Sequence, residues 1–326
     1  MLKKIINKIL RIKFVNNYIQ NREFKKDKKF FNKYYMYSKP FTKEKIEYDM
    51  LFEIHKLEKG LSSTNPRPFG SNKVDRIIRD IGLFDKYGYD KSFSYNLSYS
   101  VLEQYMKFYE DKGWKNCKEY KIVKEFISNK NFDYIDAGAF DYKKEDFINI
   151  TKIDYDKFIS SRRSVRNYAS KELKQTDIKK AIEMAIKTPT ACNRQMCKIY
   201  YIKSEKGKNT IEKYAQGLGL FDLSNANYFV ITFDVSANYM IGERNQGWFN
   251  AGLVTMNFIN ALHSLQIGSC PIQFGNSFRE EMEFKKILNI PESERIGIII
   301  TAGYYDKISR IPYSSRKPLN EIYEER

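Results

Sequence analysis

Histidine and cysteine are scarce in this chain of 326 residues, which contains two histidines and four cysteines. The histidines lie far apart in sequence and no two cysteines form a C-x-x-C pair, so we expect no metal site. Four scattered cysteines are too few for a disulfide framework in a chain of this length. A reducing, cytoplasmic setting is therefore the simpler expectation.

Long apolar segments are also missing. No uninterrupted apolar run approaches the roughly 20 residues that a membrane-spanning helix needs. The N-terminus lacks the long apolar core and small-residue cleavage site of a secretory signal peptide. We expect neither secretion nor a membrane span.

Positive charge is concentrated at the N-terminus. The formal net charge is +17, and residues 1–33 hold 11 Lys and Arg against 2 Asp and Glu. Residues 2–13 have the spacing of a short basic amphipathic helix. This arm, residues 1–40, could contact an anionic membrane or, through the aromatic and basic run 25–37, a nucleic acid. Alternatively it packs on the protein body with solvated lysines; we expect no nucleic-acid partner.

Residues 41–150 are predicted to form a mostly helical N-terminal region. Helices are expected near 43–58, 96–112 and 117–129, with loops over 60–72 and 82–91. His55 and Glu58 would share a helix face just before Gly60. They could form an acid/base pair at a substrate site, although a salt bridge at a helix end is the commoner role.

Residues 151–326 form a more regular unit. Helices are predicted near 154–161, 175–187, 207–216, 247–265 and 278–288, and strands at 198–202, 227–234, 267–275 and 294–305. The 34 residues from Asn245 to Phe278 contain no Asp, Glu, Lys or Arg, although these make up 30% of the chain. Such a segment requires burial on most sides, which predicts a central core helix.

Two segments carry the strongest chemical signal. The first, SRRSVRNY (161–168), offers three arginines and a hydroxyl within five residues, a donor set suited to a phosphate. The second, TPTACNRQ (188–195), is a turn whose amide side chains can donate and accept, as a heterocycle requires. Together they favour a nucleotide-like cofactor.

These two segments, followed in order by the uncharged helix, PIQFG (271–275), IGIIITAGYY (296–305) and SSRKPL (314–319), resemble the FMN-dependent nitroreductase family over residues 154–322. The resemblance implies an α+β fold, an α/β/α sandwich with a central antiparallel sheet, preceded here by the helical region. It also implies a homodimer with FMN at the subunit interface. About 150 residues precede this unit, whereas a minimal family member starts almost at its arginine motif.

The resemblance further implies a set of cofactor-binding residues: Arg162, Arg163, Ser164, Arg166, Asn193, Gln195, Pro271, Ile272, Gln273 and Arg316. The first arginine and the serine, together with the late arginine, would lie near the phosphate and ribityl chain. The third arginine would approach the N1 and C2 edge of the flavin, and the two amides its pyrimidine edge. The backbone of 271–273 would pass N5 and O4. Because neighbouring side chains point in different directions, it is left open whether Arg163 contacts the cofactor.

The function that the resemblance implies is an FMN-dependent oxidoreductase. NADH or NADPH would deliver a hydride to N5, and electrons would then pass to an organic acceptor that no motif identifies. Such chemistry is centred on the flavin, so no catalytic side chain is assigned. The alternative is a protein that uses this fold as a scaffold and docks to an anionic membrane or nucleic acid through its basic arm.

Overall fold

A computed structural model describes residues 13–63, 66–128, 130–141, 153–218, 223–309, 311, 314 and 316–326. The described residues up to 141 form helices α1 (Lys13–Tyr34), α2 (Lys43–Leu61), α3 (Ser71–Lys86), α4 (Phe93–Asp111) and α5 (Lys118–Ile127). The three helices predicted in this region are confirmed. The amphipathic pattern over 2–13 lies outside the described residues except for its last position.

Helices α2 to α5 share one apolar core. Side chains at helical spacing, among them Ile46, Met50, Ile77, Val101 and Tyr105, are fully or almost fully buried in it. The helix α3 was missed from the sequence, and the loop expected over 82–91 begins only after residue 86. The buried face of α3 continues to Phe84, and this packing keeps the last turn of that helix in place.

The second unit contains α6 (Tyr155–Ser161), α7 (Gln175–Ala185), β1 (Cys197–Ile202), α8 (Glu205–Tyr214), β2 (Asn227–Asp234), α9 (Gln246–Ser264), β3 (Ile267–Ile272), α10 (Phe278–Ile287) and β4 (Glu294–Tyr304). Short 3₁₀ turns span Ala191–Asn193, Val235–Ala237, Ile241–Glu243 and Leu319–Glu321. The strands pair in the order β1-β2-β4-β3, and every pairing is antiparallel. The predicted elements and the antiparallel sheet are confirmed.

Strand β2 shows why the unit is a sandwich. Alternate side chains of a strand point to opposite faces of the sheet. Phe229, Ile231 and Phe233 pack in one core with α7 and α9, whereas Tyr228 and Val230 pack in another with α8 and α10. Helices therefore cover both faces of the sheet, as the α/β/α prediction requires.

Helix α1 packs on the second unit. Phe30 is 6% exposed and belongs to the core that contains β2 and α9. Asp27 pairs with Arg295 at 3.0 Å, and Glu23 accepts a hydrogen bond from the Phe278 N–H at 3.0 Å. The C-terminal half of this basic helix is thus held by apolar burial and by its few acidic residues.

One face of α9 is exposed, contrary to the expectation of burial on most sides. Trp248, Phe249, Leu253 and Met256 are 42%, 63%, 36% and 41% exposed. They recur at helical spacing, so they form a continuous apolar face, which we call the α9 face. In the described part of the chain, no helix combines the length and apolar character needed to cross a membrane.

Candidate functional site

The arginine motif leaves helix α6 in an extended conformation beside β3. Asp154 begins the helix by accepting a hydrogen bond from the Lys157 N–H at 3.0 Å. After Ser161 the chain runs alongside the strand, where Val165 N donates to Ser269 O at 3.0 Å. Ser164 forms a parallel bridge with Ser269. The motif is thereby fixed against the edge strand of the sheet.

Alternation in this extended stretch sorts the side chains of the motif. Val165 is 1% exposed and points into the core, whereas Arg162, Ser164 and Arg166 are half-buried and share the other side. Arg163 is exposed and folds back, its Nη1 donating to Ser160 O at the end of α6. The structure brings three of the four predicted motif residues to one face and leaves Arg163 apart.

Cys270 of β3 lies near this motif. Its side chain is 1% exposed, and burial raises the pKa of its thiol, while the charge of Arg166, polar interactions with Ser164 and Arg166, and the charge of Arg162 oppose that rise. In the described residues no carboxylate lies within 4 Å of the Arg162 guanidinium. The cluster is therefore a polar, cationic site without an internal anion beside its first arginine.

His263 closes one side of this cluster. Its Nε2 lies 2.9 Å from Ser161 Oγ and its Nδ1 lies 2.7 Å from Tyr305 Oη. Burial lowers its pKa, and the charge of Arg162 acts in the same direction. The ring therefore favours the neutral form and ties the end of α6 to the end of β4.

The amide turn lies before β1 and has a strained backbone. Cys192, Asn193 and Gln195 each have φ of 50°, a left-handed conformation that costs about 1–3 kcal/mol for a non-glycine residue and less for asparagine. Gln195 N donates to Thr190 Oγ1 at 3.0 Å, and Asn193 N donates to Thr190 O at 2.9 Å. The turn leaves the Gln195 side chain exposed and that of Asn193 half-buried.

Arg194, between these two amides, points the opposite way and is fully buried. Its Nη1 and Nη2 contact Glu243 Oε2 and Oε1 at 2.8 and 3.0 Å, and its Nε donates to Ala191 O at 2.9 Å. Its Nη1 also donates to Ala237 O. Arg194 is not among the residues predicted from the sequence, although its place inside the motif is a usable signal.

Within one chain the arginine motif and the amide turn are far apart. Ser164 lies beside β3, next to Ser269, which pairs with Ala302. The turn enters β1 at Cys197, which pairs with Phe233 and so lies at the level of Arg295, on the other edge and at the other end of the sheet. Strand spacing and rise put the two segments about 20 Å apart across the sheet and about 20 Å along it.

The remaining predicted residues divide between these regions. Pro271 and Ile272 belong to β3 and Gln273 follows directly, so all three continue from Cys270 beside the arginine cluster. Arg316 lies in the exposed C-terminal tail, where its Nη1 donates to Ser314 O. The structure does not bring this arginine to the others through any contact among the described residues.

His55 and Glu58 lie near the end of α2, in the helical region. Their Nδ1 and Oε2 atoms are 4.0 Å apart. Burial raises the pKa of Glu58, whose carboxylate accepts a hydrogen bond from Gly138 N at 3.3 Å. Burial lowers the pKa of His55. The pair thus joins a helix end to the segment after α5.

Comparison with known proteins relates the second unit to one family. Residues 159–222 and 221–304 match the model of the Nitroreductase family. A Nitroreductase family protein from Streptococcus pneumoniae is 24% identical, with a TM-score of 0.45, over 53% of this chain and 100% of its own.

Two further similar structures come from Clostridium. An FMN-dependent nitroreductase from Clostridium difficile is 24% identical, with a TM-score of 0.43, over 52% of this chain and 98% of its own. A nitroreductase family protein from Clostridium novyi is 17% identical, with a TM-score of 0.41, over 48% and 87%. The matched stretch contains the arginine motif, the amide turn and all four strands. The Nitroreductase family model thus matches residues 159–304, a little under half of this chain.

Proposed function

We propose that the protein is an FMN-dependent oxidoreductase that uses NADH or NADPH to reduce an organic acceptor. The observation that carries this proposal is the placement of Arg162, Ser164 and Arg166 on one face beside β3. Arginine forks bind phosphate through paired charge-assisted hydrogen bonds. Arg162 is half-buried on this face, and in this proposal its guanidinium is the main partner of the anionic group.

The residues present fit FMN. The arginine cluster suits the phosphate end, and the strained turn presents two amide side chains that suit the donor and acceptor pattern of a pyrimidine ring. Strand β3 is an edge strand of the described sheet, so main-chain groups on its outer side beyond Ser269 have no strand neighbour. Those groups, over 271–273, suit the N5 and O4 edge.

When bound, FMN would accept a hydride from a nicotinamide and return electrons to the acceptor. The protein's own residues would bind and orient it. Arg162 and Ser164 hold the phosphate side, and a cation at Arg166 stabilises negative charge on the ring. Asn193 and Gln195 fix the ring's pyrimidine edge. Arg316 joins the phosphate side if the C-terminal tail reaches it in the assembled protein.

We further propose a homodimer in which each FMN takes the arginine motif from one copy and the amide turn from the other. A mononucleotide is shorter than the distance between these segments in one chain. The α9 face supplies a contiguous apolar surface, a feature typical of protein interfaces. We propose that a second copy packs on that face and so brings the two motifs together.

The basic test is spectroscopic. Purified protein, reconstituted with FMN, should be yellow and should bleach on addition of NADH or NADPH under anaerobic conditions. Reoxidation by candidate acceptors, quinones and nitroaromatics first, would then identify the acceptor class. Protein that stays colourless and binds no FMN in a fluorescence titration would overturn the proposal.

The dimer arrangement has a sharper test. Arg162→Ala and Asn193→Ala homodimers should both bind FMN weakly. Co-purified heterodimers, carrying a different tag on each chain, should recover one intact site, because one site then combines the unaltered arginine motif of one copy with the unaltered turn of the other. If both motifs serve a site within one chain, no heterodimer site is intact and the recovery is absent.

A further inference from the structure

Arg194 is the largest fully buried side chain in the described structure, and the function proposed above assigns it no role. A buried guanidinium needs both a counter-charge and hydrogen-bond partners. Arg194 has both, because Glu243 receives it through two parallel bonds and two main-chain carbonyls accept from it. One of those carbonyls, Ala191 O, belongs to the amide turn itself, and the other, Ala237 O, belongs to the loop after β2.

Glu243 is itself held in place. Its Oε2 accepts a hydrogen bond from Tyr239 N at 2.7 Å in addition to the bond from Arg194. Burial raises the pKa of Glu243, but these hydrogen bonds outweigh burial, and the pKa lies below its usual value. The carboxylate therefore stays ionised at neutral pH. Together with Arg194 it forms a charge-paired support beneath the turn.

The helical N-terminal region contributes an aromatic ring next to the Arg194–Glu243 pair. Phe52 of α2 stacks on Tyr239 with ring centroids 4.3 Å apart. The Arg194 guanidinium lies 5.8 Å from the Phe52 ring and 5.4 Å from the Tyr239 ring. Aromatic rings near a desolvated guanidinium stabilise it electrostatically. A residue from outside the family domain thus contacts the middle of the amide turn.

We propose that Arg194 is a positioning residue that holds Asn193 and Gln195 in the left-handed conformation needed to meet the flavin, and that Phe52 makes the helical region part of this support. The inference rests on the proposed FMN function. The turn presents residues 193 and 195 outward only while residue 194 points inward. Because left-handed backbone is unfavourable for these residues, the turn relaxes unless contacts below it over-determine its shape.

Arg194→Lys is the informative variant, since lysine keeps the charge but cannot form the paired bonds to Glu243 together with the bond to Ala191 O. Arg244→Lys is the matched control, because Arg244 is exposed and its Nη1 donates to the local Ile241 O at 3.3 Å. Phe52→Leu keeps an apolar side chain and removes the ring.

The first readout is amide hydrogen exchange, which does not depend on the cofactor. The N–H groups of residues 193, 194 and 195 are hydrogen-bonded within the turn. We expect the peptide covering 190–196 to exchange at least about 10-fold faster in Arg194→Lys, and detectably faster in Phe52→Leu. Peptides from the α4 core, residues 97–105, should be unchanged in both. Unchanged exchange at 190–196 in Arg194→Lys would overturn the inference.

The second readout is the FMN dissociation constant, measured by fluorescence titration of the apoprotein. We expect it to rise at least about 10-fold in Arg194→Lys, to rise less in Phe52→Leu, and to stay at the wild-type value in Arg244→Lys. Equal FMN affinity in the wild type and Arg194→Lys overturns the positioning role while the proposed function stands. Wild-type protein that binds no FMN overturns the proposed function, and with it the link from the turn to the flavin.

A folding failure does not remove the test. If Arg194→Lys yields no folded protein, Glu243→Gln keeps the arginine and the size of its partner but lowers the strength of the charge-assisted bonds. The same two readouts then apply, with faster exchange at 190–196 and weaker FMN binding as the expected results. Unchanged values in that variant count against the inference.

Discussion

The N–H of Val165 donates to the carbonyl of Ser269 at 3.0 Å, and this bond joins the arginine motif to the edge of β3. Because Val165 faces the core, its neighbours on either side face away from it. The bond therefore sets which arginines reach the proposed phosphate site.

Arg162→Ala should weaken FMN binding by about 10-fold to 100-fold, since a hydrogen-bonded charge contributes about 1.5–3 kcal/mol and 1.4 kcal/mol corresponds to a tenfold change. Fluorescence titration of the apoprotein measures this change. Arg163→Ala is the control, because its guanidinium bonds to the end of α6, and FMN affinity should change less than about threefold. A larger effect from Arg163→Ala than from Arg162→Ala would contradict the proposed site.

Leu253→Glu should convert the proposed dimer to a monomer. A carboxylate in the middle of the α9 face would be buried without a counter-charge at an apolar interface, which costs several kcal/mol. Light scattering coupled to size-exclusion chromatography gives the mass directly. Tyr87→Glu, at an exposed position of the helical region, should leave the mass unchanged. A dimer that persists in Leu253→Glu argues against this face as the interface.

Phe30→Ala tests whether α1 belongs to the folded body. A phenylalanine buried in the core beside β2 should cost about 3–5 kcal/mol of unfolding free energy when truncated. Phe24, on the same helix, is 69% exposed, and Phe24→Ala should cost less than about 0.5 kcal/mol. Urea denaturation measures both. Near-equal stabilities of the two variants would mean that α1 is an independent arm.

Asp80 should make stability depend on pH. Its side chain is fully buried, and burial, reinforced by repulsion from Asp49, raises its pKa to about 7 from an ordinary value of 3.8, although Arg79 opposes the rise. The folded state then holds a proton that the unfolded state has lost, so the free energy of unfolding falls as pH rises from about 4 to about 7. Above pH 7 this contribution levels off.

Asp80→Asn removes that titration. We compare the free energy of unfolding of the variant with that of the wild type at each pH. This difference should favour the variant by about 1–3 kcal/mol more at pH 8 than at pH 5. Urea denaturation of both proteins at the two pH values gives the difference. Asp75→Asn, at an exposed position of the same helix, is the control and should show no such change. A stability difference between Asp80→Asn and the wild type that is the same at both pH values would sink the prediction.

Much of the fold follows from local sequence signals. The run of aromatic and β-branched residues in NYFVITFD predicts β2, the period of residues 175–187 predicts α7, and both elements are present at nearly the predicted bounds. Helix α3 was not predicted from the sequence, because the polar and glycine-rich stretches on either side of it are typical of loops. Its helical period is readable only when Val74, Ile77, Ile81 and Phe84 are recognised as one buried face.

For the candidate site, too, some features follow from the sequence and others from the tertiary structure. The sequence by itself determined the order of the elements, the residue types of the arginine motif and the amide turn, and the family resemblance, because these depend on local spacing and composition. Only the tertiary structure decided that Arg162 and Arg163 point apart, that Arg194 lies beneath the turn against Glu243 and Phe52, and that the two motifs lie at opposite ends of the sheet. Those relations depend on strand order and on contacts between residues distant in sequence, which no local pattern records.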